Sequence, residues 1–303
     1  MALKTTAYLA IDAGGTYLKS AVLDRDGNVV DGSSFSTRSF SDGGREEILN
    51  AYLKTFTHGL TVIGECDMRL GGIGISTPGP FDYEKATPLM QHKFKSVYGF
   101  DLRSAFYQMP GIDRDVPVRF MQDANAILTG EIHYGNARGF ANAALVTLGT
   151  GLGFAVSESG KVLSNPLGGP FYIIFSIPYN GGILEDFTAS RGIIRIYKGL
   201  LSSVSTDGLA ASDIGYWADR GDVTSVRTFQ KVGRILGEAL RDILLERKTE
   251  CLLFGGQISR SFHHMEQSLR ETLCDVSSLR KITRIKNMDN AALMGVHAVL
   301  LQN

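Results

Sequence analysis

Three apolar runs in this chain of 303 residues end in clustered glycine, and that pattern limits the fold more than any other feature. Residues 7–11 run into Asp12-Ala13-Gly14-Gly15-Thr16, and AALVTL runs into Gly149-Thr150-Gly151-Leu152-Gly153. Residues 251–254 run into Gly255-Gly256. A strand that opens into glycine lets backbone N–H groups approach an anion with no Cβ in the way. In the first turn the glycine amides and the Thr16 hydroxyl can donate to phosphate oxygens, while Asp12 can hold hydrated Mg²⁺. A plain hairpin with aspartate as turn former is the alternative. Between the first two turns, the short apolar run at residues 118–121 leads to Gln122 and Asp123. An acid beside such a turn suits proton removal next to bound phosphate; a surface aspartate is the competing reading.

The common phosphate signatures do not account for these turns. A Walker loop needs GxxxxGK[ST], but Gly160-Lys161 is followed by Val162. Gly149 to Gly153 lacks the GxGxxG spacing and leads into strand-like residues, not a helix. The protein-kinase HRD and DFG signatures are missing. Two phosphate turns far apart in sequence, with a third glycine strand end, imply a nucleotide held between two lobes.

Apolar periodicity predicts helices over residues 45–60, 183–191, 213–219, 228–247, 259–273 and 291–301. Residues 110–117, bounded by prolines, read as a connector. The expected division is a smaller N-terminal lobe over residues 1–117, with the closing helix at 291–303 packing back on it, and a larger lobe over 118–290. No repeat with a period of 20–50 residues is visible.

Lys plus Arg and Asp plus Glu number 31 each, so no electrostatic footprint for nucleic acid or anionic membrane follows. No apolar run is long enough to span a bilayer, and the first residues enter a strand pattern with no leader, so a cytoplasmic protein is expected. Cys66, Cys251 and Cys274 stand apart, which fits buried thiols in a reducing compartment and neither a disulfide framework nor a zinc site. His263-His264 is not expected to ligate a metal, because adjacent helical residues point in different directions.

IDAGGT, STPG, QDAN, LGTGLG and LLFGG occur in the order and approximate spacing of the ROK family of sugar kinases and repressors. The chain resembles that family over nearly its whole length. The resemblance implies the two-lobed α/β architecture of actin/hexokinase-like ATPases, with mixed sheets flanked by helices, and a kinase member in place of a repressor with an N-terminal helix-turn-helix. It implies that Asp12, Gly14, Gly15 and Thr16 form the first phosphate turn. Gly149, Thr150, Gly151 and Gly153 form the second, and Gly255 and Gly256 the adenosine-side turn. Asp123 matches the acid that takes the proton from the sugar hydroxyl; Gly79, Gln122 and Glu185 fall where the family contacts sugar hydroxyls. The expected reaction is ATP- and Mg²⁺-dependent phosphorylation of a hexose or hexose derivative at the 6-hydroxyl, by a homodimer. The alternative is a sugar or nucleotide sensor of the same fold with little turnover.

Where the family carries a Gly-Glu-x-Gly-His segment and a cysteine knuckle for zinc, this chain reads Gly168-Gly169-Pro170-Phe171-Tyr172-Ile173. Pro170 and Ile173 offer no ligand atoms, so no zinc is expected there, and the run at 171–175 is expected to fill that space by packing. The departure falls on residues serving the anomeric end and C2, so the sugar's identity is open, and a substituted sugar such as a β-glucoside becomes admissible.

Overall fold

A helix that lies directly on a strand needs a strand nearly free of side chains, and Arg69–Thr77 (RLGGIGIST) is written that way. In the computed structural model, which describes residues 4–201 and 208–302, a Cβ on Gly74 would meet Val296 at 2.8 Å. One on Gly72 would meet Leu300 at 2.9 Å. The helix Ala291–Leu300 therefore packs back on the N-terminal sheet.

That sheet has five strands in the order Phe35–Arg38, Tyr17–Asp24, Thr6–Ala13, Arg69–Thr77, Val118–Gln122. The first three form an antiparallel meander, while Thr6–Ala13, Arg69–Thr77 and Val118–Gln122 run parallel. Helix Arg45–Glu65 buries Ile48, Tyr52 and Phe56 against one face, where Leu9, Ile11, Ile73 and Phe106 join them. Each such side chain removed from water contributes about 1.5–3 kcal/mol before conformational entropy is counted.

The second sheet repeats this topology. Its order is Lys161–Val162, Leu152–Glu158, Ala143–Leu148, Cys251–Gly255, Lys281–Arg284, again an antiparallel meander followed by two parallel additions. Its longest helix, Val223–Glu246, starts at Asp222, whose carboxylate accepts from the Ser225 N–H at 2.7 Å. Val232, Leu236 and Leu240 of that helix are fully buried, together with Leu252 and Phe254 of the sheet.

The chain divides into one unit of Met1–Tyr134, Ser164–Pro170 and Asp289–Asn303 and a second of Gly135–Leu163 and Phe171–Met288. A boundary at 117/118 is therefore displaced. Val118–Gln122 is the fifth strand of the first sheet, and the helix Asp123–Tyr134 packs on the C-terminal helix of the same unit. The helix expected over 183–191 is broken: Glu185–Thr188 ends at Ala189, which is extended, before Ser190–Leu200 begins. Among the described residues no helix is long and apolar enough to cross a membrane.

Candidate active site

The parallel strands of the first sheet place their carboxyl ends side by side. Register pairs Asp12 with Ser76, Ser76 with Met121, and Thr77 with Gln122, so Asp12, Thr77 and Gln122-Asp123 share one edge. Crevices at the carboxyl ends of parallel strands are the usual ligand sites of α/β sheets.

Asp123 begins the helix Asp123–Tyr134. Its Oδ1 accepts from the Ala124 N–H at 2.8 Å and from Gln122 Nε2. Gln122 Oε1 accepts from the Asn125 N–H at 2.8 Å, so the Gln122 amide is fixed at both ends and holds the acid's orientation. Oδ2 accepts no hydrogen bond among the described residues, and Asp123 keeps a partly accessible edge. Burial pushes the Asp123 carboxyl up to about 6, and the nearby Asp12 carboxylate adds to the rise. The Ala124 N–H, Gln122 and the Lys93 ammonium oppose it. Asp12 is itself raised by burial, with Ser76 and Lys19 pulling the other way. The two carboxylates are thus near enough for the charge of one to act on the other.

The first glycine turn is tightly constrained. The Gly14 N–H donates to the Tyr17 carbonyl at 2.9 Å. The Gly15 carbonyl accepts from the Ser39 hydroxyl at 2.8 Å and the Ser41 hydroxyl at 2.5 Å. A Cβ on Gly15 would lie 3.0 Å from Cε and Nζ of Lys93. The Lys93 loop is tied to the same turn, because the Phe94 N–H donates to the Ser41 carbonyl at 2.6 Å. Lys93 is thus a site residue that sequence reasoning missed; a lone lysine in an irregular stretch gives no signal.

Tyr83 and Ser164–Pro170 belong to the same unit. The Tyr83 hydroxyl donates to the Thr77 carbonyl at 3.1 Å, and its N–H donates to the Leu167 carbonyl at 2.9 Å. Burial, and then the Asp123 charge, raise its phenol far above the usual value. Gly168, at φ +80°, sits with its Cβ position 2.9 Å from Tyr83 Cβ, and Asn125 Nδ2 donates to the Gly169 carbonyl at 3.4 Å. Gly79, just beyond Thr77, has only the Tyr83 hydroxyl at 3.4 Å and the Phe81 nitrogen at 3.7 Å near its Cβ position.

In the second unit the other two glycine turns meet. Gly256, at φ +80°, would place a Cβ 2.2 Å from the Leu148 carbonyl, so only glycine brings the Gly255-Gly256 bend onto the residue before Gly149. The Gly149 N–H donates to the Gly151 carbonyl at 3.0 Å, Thr150 is exposed, and Gly153 pairs with Thr147. Glu185 belongs to this group: its Oε2 accepts from the Leu152 N–H at 2.9 Å and lies 2.9 Å from a Cβ on Gly151.

Two expectations need correction. The run at 171–175 does not serve as filling: Phe171, Ile173 and Phe175 are 42%, 55% and 43% exposed, and only Ile174 is fully buried. Tyr172 leans partly on the core, where its hydroxyl accepts from Arg247 Nε at 2.7 Å. His263 and His264 also converge instead of diverging, as described below.

The carboxyl-edge acid, the glycine turns and the twice-used sheet topology define an ATPase fold of the actin/hexokinase-like class. Within it, this chain belongs to the ROK family, whose model matches residues 8–303. It is 27% identical over 283 residues to a glucokinase of Halalkalibacterium halodurans, covering 84% of this chain and 81% of that one. It is 32% identical over 147 residues to a beta-glucoside kinase of Klebsiella pneumoniae, covering 48% and 44%. A ROK glucokinase of Streptomyces griseus, solved with glucose and AMPPNP, superposes with a TM-score of 0.79 at 21% identity, over 98% of this chain and 100% of that one.

Proposed function

We propose that this protein is an ATP-dependent sugar kinase that phosphorylates a hexose or hexose derivative at its 6-hydroxyl, with Asp123 as general base. The observation that carries this reading is the Asp123 carboxylate, held through Oδ1 and free at Oδ2, in one unit with the Gly14-Gly15 turn. A sugar hydroxyl is too weakly acidic to lose its proton unaided. Oδ2 accepts that proton as the oxygen bonds to the γ-phosphorus and the bond to ADP breaks. Gly14, Gly15 and Thr16 bind the phosphates in the first unit. Gly149, Thr150, Gly151 and Gly153, with Gly255 and Gly256, bind the nucleotide from the second. Gly79, Gln122 and Glu185 contact the sugar. The relative's beta-glucoside kinase name and the proline at position 170 both favour a pocket tolerant of substitution at the anomeric end.

A divalent ion fits beside Asp12. The carboxyl is buried, and the buried Ser76 hydroxyl next to it makes no regular hydrogen bond. Mg²⁺ there would neutralise charge on the transferring phosphoryl group.

Lys93 extends this assignment. Its ammonium lies over Gly15 and acts on the Asp123 carboxyl, so it can offset charge on phosphoryl oxygens between the two. Lys93→Met should lower kcat by roughly 10²-fold, the usual cost of one transition-state donor. It should also move the acid limb of kcat/KM, expected near pH 6 from Asp123, to higher pH, because the cation that favours the ionised acid is gone. A merely structural lysine would leave the limb where it was.

The general test is ADP release in a coupled assay across glucose, mannose, fructose, glucosamine, N-acetylmannosamine and cellobiose. Sugar-dependent ADP supports a kinase. Tight sugar binding without ADP would support a sensor, the reading favoured by Pro170 and Ile173 standing where ligand side chains are expected.

A further inference from the structure

Asp219, His263 and His264 place three ligand atoms together outside the site described above. Asp219 caps the end of helix Ala211–Ala218, and its N–H donates to the Gly215 carbonyl at 3.0 Å. His263 and His264 open the helix Phe262–Thr272. The two elements meet because Gly215 carries no side chain: a Cβ there would lie 2.6 Å from the Ser261 hydroxyl. Both imidazoles turn Nε2 toward one oxygen, Asp219 Oδ1, at 2.9 Å from His263 and 2.8 Å from His264. Successive residues on a helix do not ordinarily face one point. Here the first turn lies across the end of another helix, and that target collects both rings.

We infer that Asp219, His263 and His264 form a surface site for a borderline divalent cation such as Zn²⁺. The three ligand atoms all lie within 4.8 Å of one another. An ion at about 2.0–2.2 Å from each, the usual zinc distance, needs only small side-chain adjustments. Two imidazole nitrogens with one carboxylate oxygen select zinc, nickel or copper over Mg²⁺ and Ca²⁺. To ligate, each ring presents an unprotonated Nε2 and carries its N–H at Nδ1. His264 is largely preset: its side chain is 14% exposed and its ring stacks on Phe229 at 6.1 Å. The side chains of His263 and Asp219 are 57% and 53% exposed, which leaves the outer coordination positions to water. The bound ion would clip the helix after the Gly255-Gly256 turn to the end of Ala211–Ala218, raising the melting temperature.

The test is calorimetric titration of EDTA-stripped full-length protein with ZnCl₂, alongside His263→Gln and Asp219→Asn. Both substitutions are at exposed positions, and their folding is checked by circular dichroism. The wild type should bind one ion and melt higher with zinc. Each variant should bind at least about tenfold more weakly, as loss of one ligand predicts. The Co²⁺-loaded wild type should show d–d bands without a thiolate charge-transfer band. No binding, undiminished affinity in either variant, or a thiolate band placing the ion on Cys66 or Cys274 would overturn the assignment.

Discussion

Asp123→Asn should reduce sugar-dependent ADP release by roughly 10²–10⁴-fold, the range general-base assistance supplies. Asparagine keeps the size and the Ala124 N–H contact, but it cannot take a proton from a hydroxyl. ATP binding should persist, because the glycine turns are untouched. The same variant should melt no lower than the wild type at pH 8. The sign follows from the shift: the carboxyl ionises near 3.8 when exposed and near 6 when folded. Its stabilising contribution is therefore complete below pH 3.8 and lost as pH rises through 6. Above that, the wild type carries a buried charge that the amide does not. Substantial turnover by the variant, measured by the coupled assay with denaturation curves at pH 5 and 8, would remove Asp123 from the base role.

Gly295→Ala should prevent folding or cost on the order of 4 kcal/mol or more, placing it among the exceptional single substitutions. Its Cβ would fall 1.7 Å from the Ala126 carbonyl oxygen and 2.4 Å from the Ala126 carbonyl carbon. Backbone cannot rotate away as a side chain can. On the facing helix a Cβ on Gly130 would fall 2.7 Å from the Ala291 carbonyl oxygen, so the two helices touch main chain to main chain. The Asp123 helix is positioned by that contact, and loss of activity should accompany loss of structure. Gly64→Ala is the control: nothing lies within 4 Å of its Cβ position, so it should be neutral or stabilising by about 0.4–1 kcal/mol. Soluble yield and melting temperature read the difference, and a Gly295→Ala protein that melts with the wild type would disprove the contact.

Much of this fold was legible because glycine reports constraint directly. Gly15, Gly151 and Gly256 marked strand ends where a Cβ would collide, and Asp123 stood beside a short apolar run. Gly72 and Gly74, which let the C-terminal helix approach its strand, were not singled out from the sequence. The sheet assignment of Val118–Gln122 was not legible, since a five-residue strand carries no label for its partner; register with Ile73–Thr77 decides it. Lys93 was hidden because its role depends on a loop folding over Gly15. The histidine pair was misread because helical spacing describes a helix interior, and these residues open one at another helix's end. Phe171, Ile173 and Phe175 were misread because an apolar run was equated with burial.

The duplicated sheet topology escaped any search for short periods, since what recurs is the pairing scheme and not the residues. Yet the two copies are unequal in charge. Counting back from the bend, Asp12 is the second-to-last residue of its strand, and the corresponding residue of Ala143–Leu148 is Thr147. At that position one unit carries an acid and the other a neutral hydroxyl. Under the kinase reading proposed above, the first strand end offers a carboxylate for a cation, whereas the matching position of the second offers only the uncharged Thr147 hydroxyl.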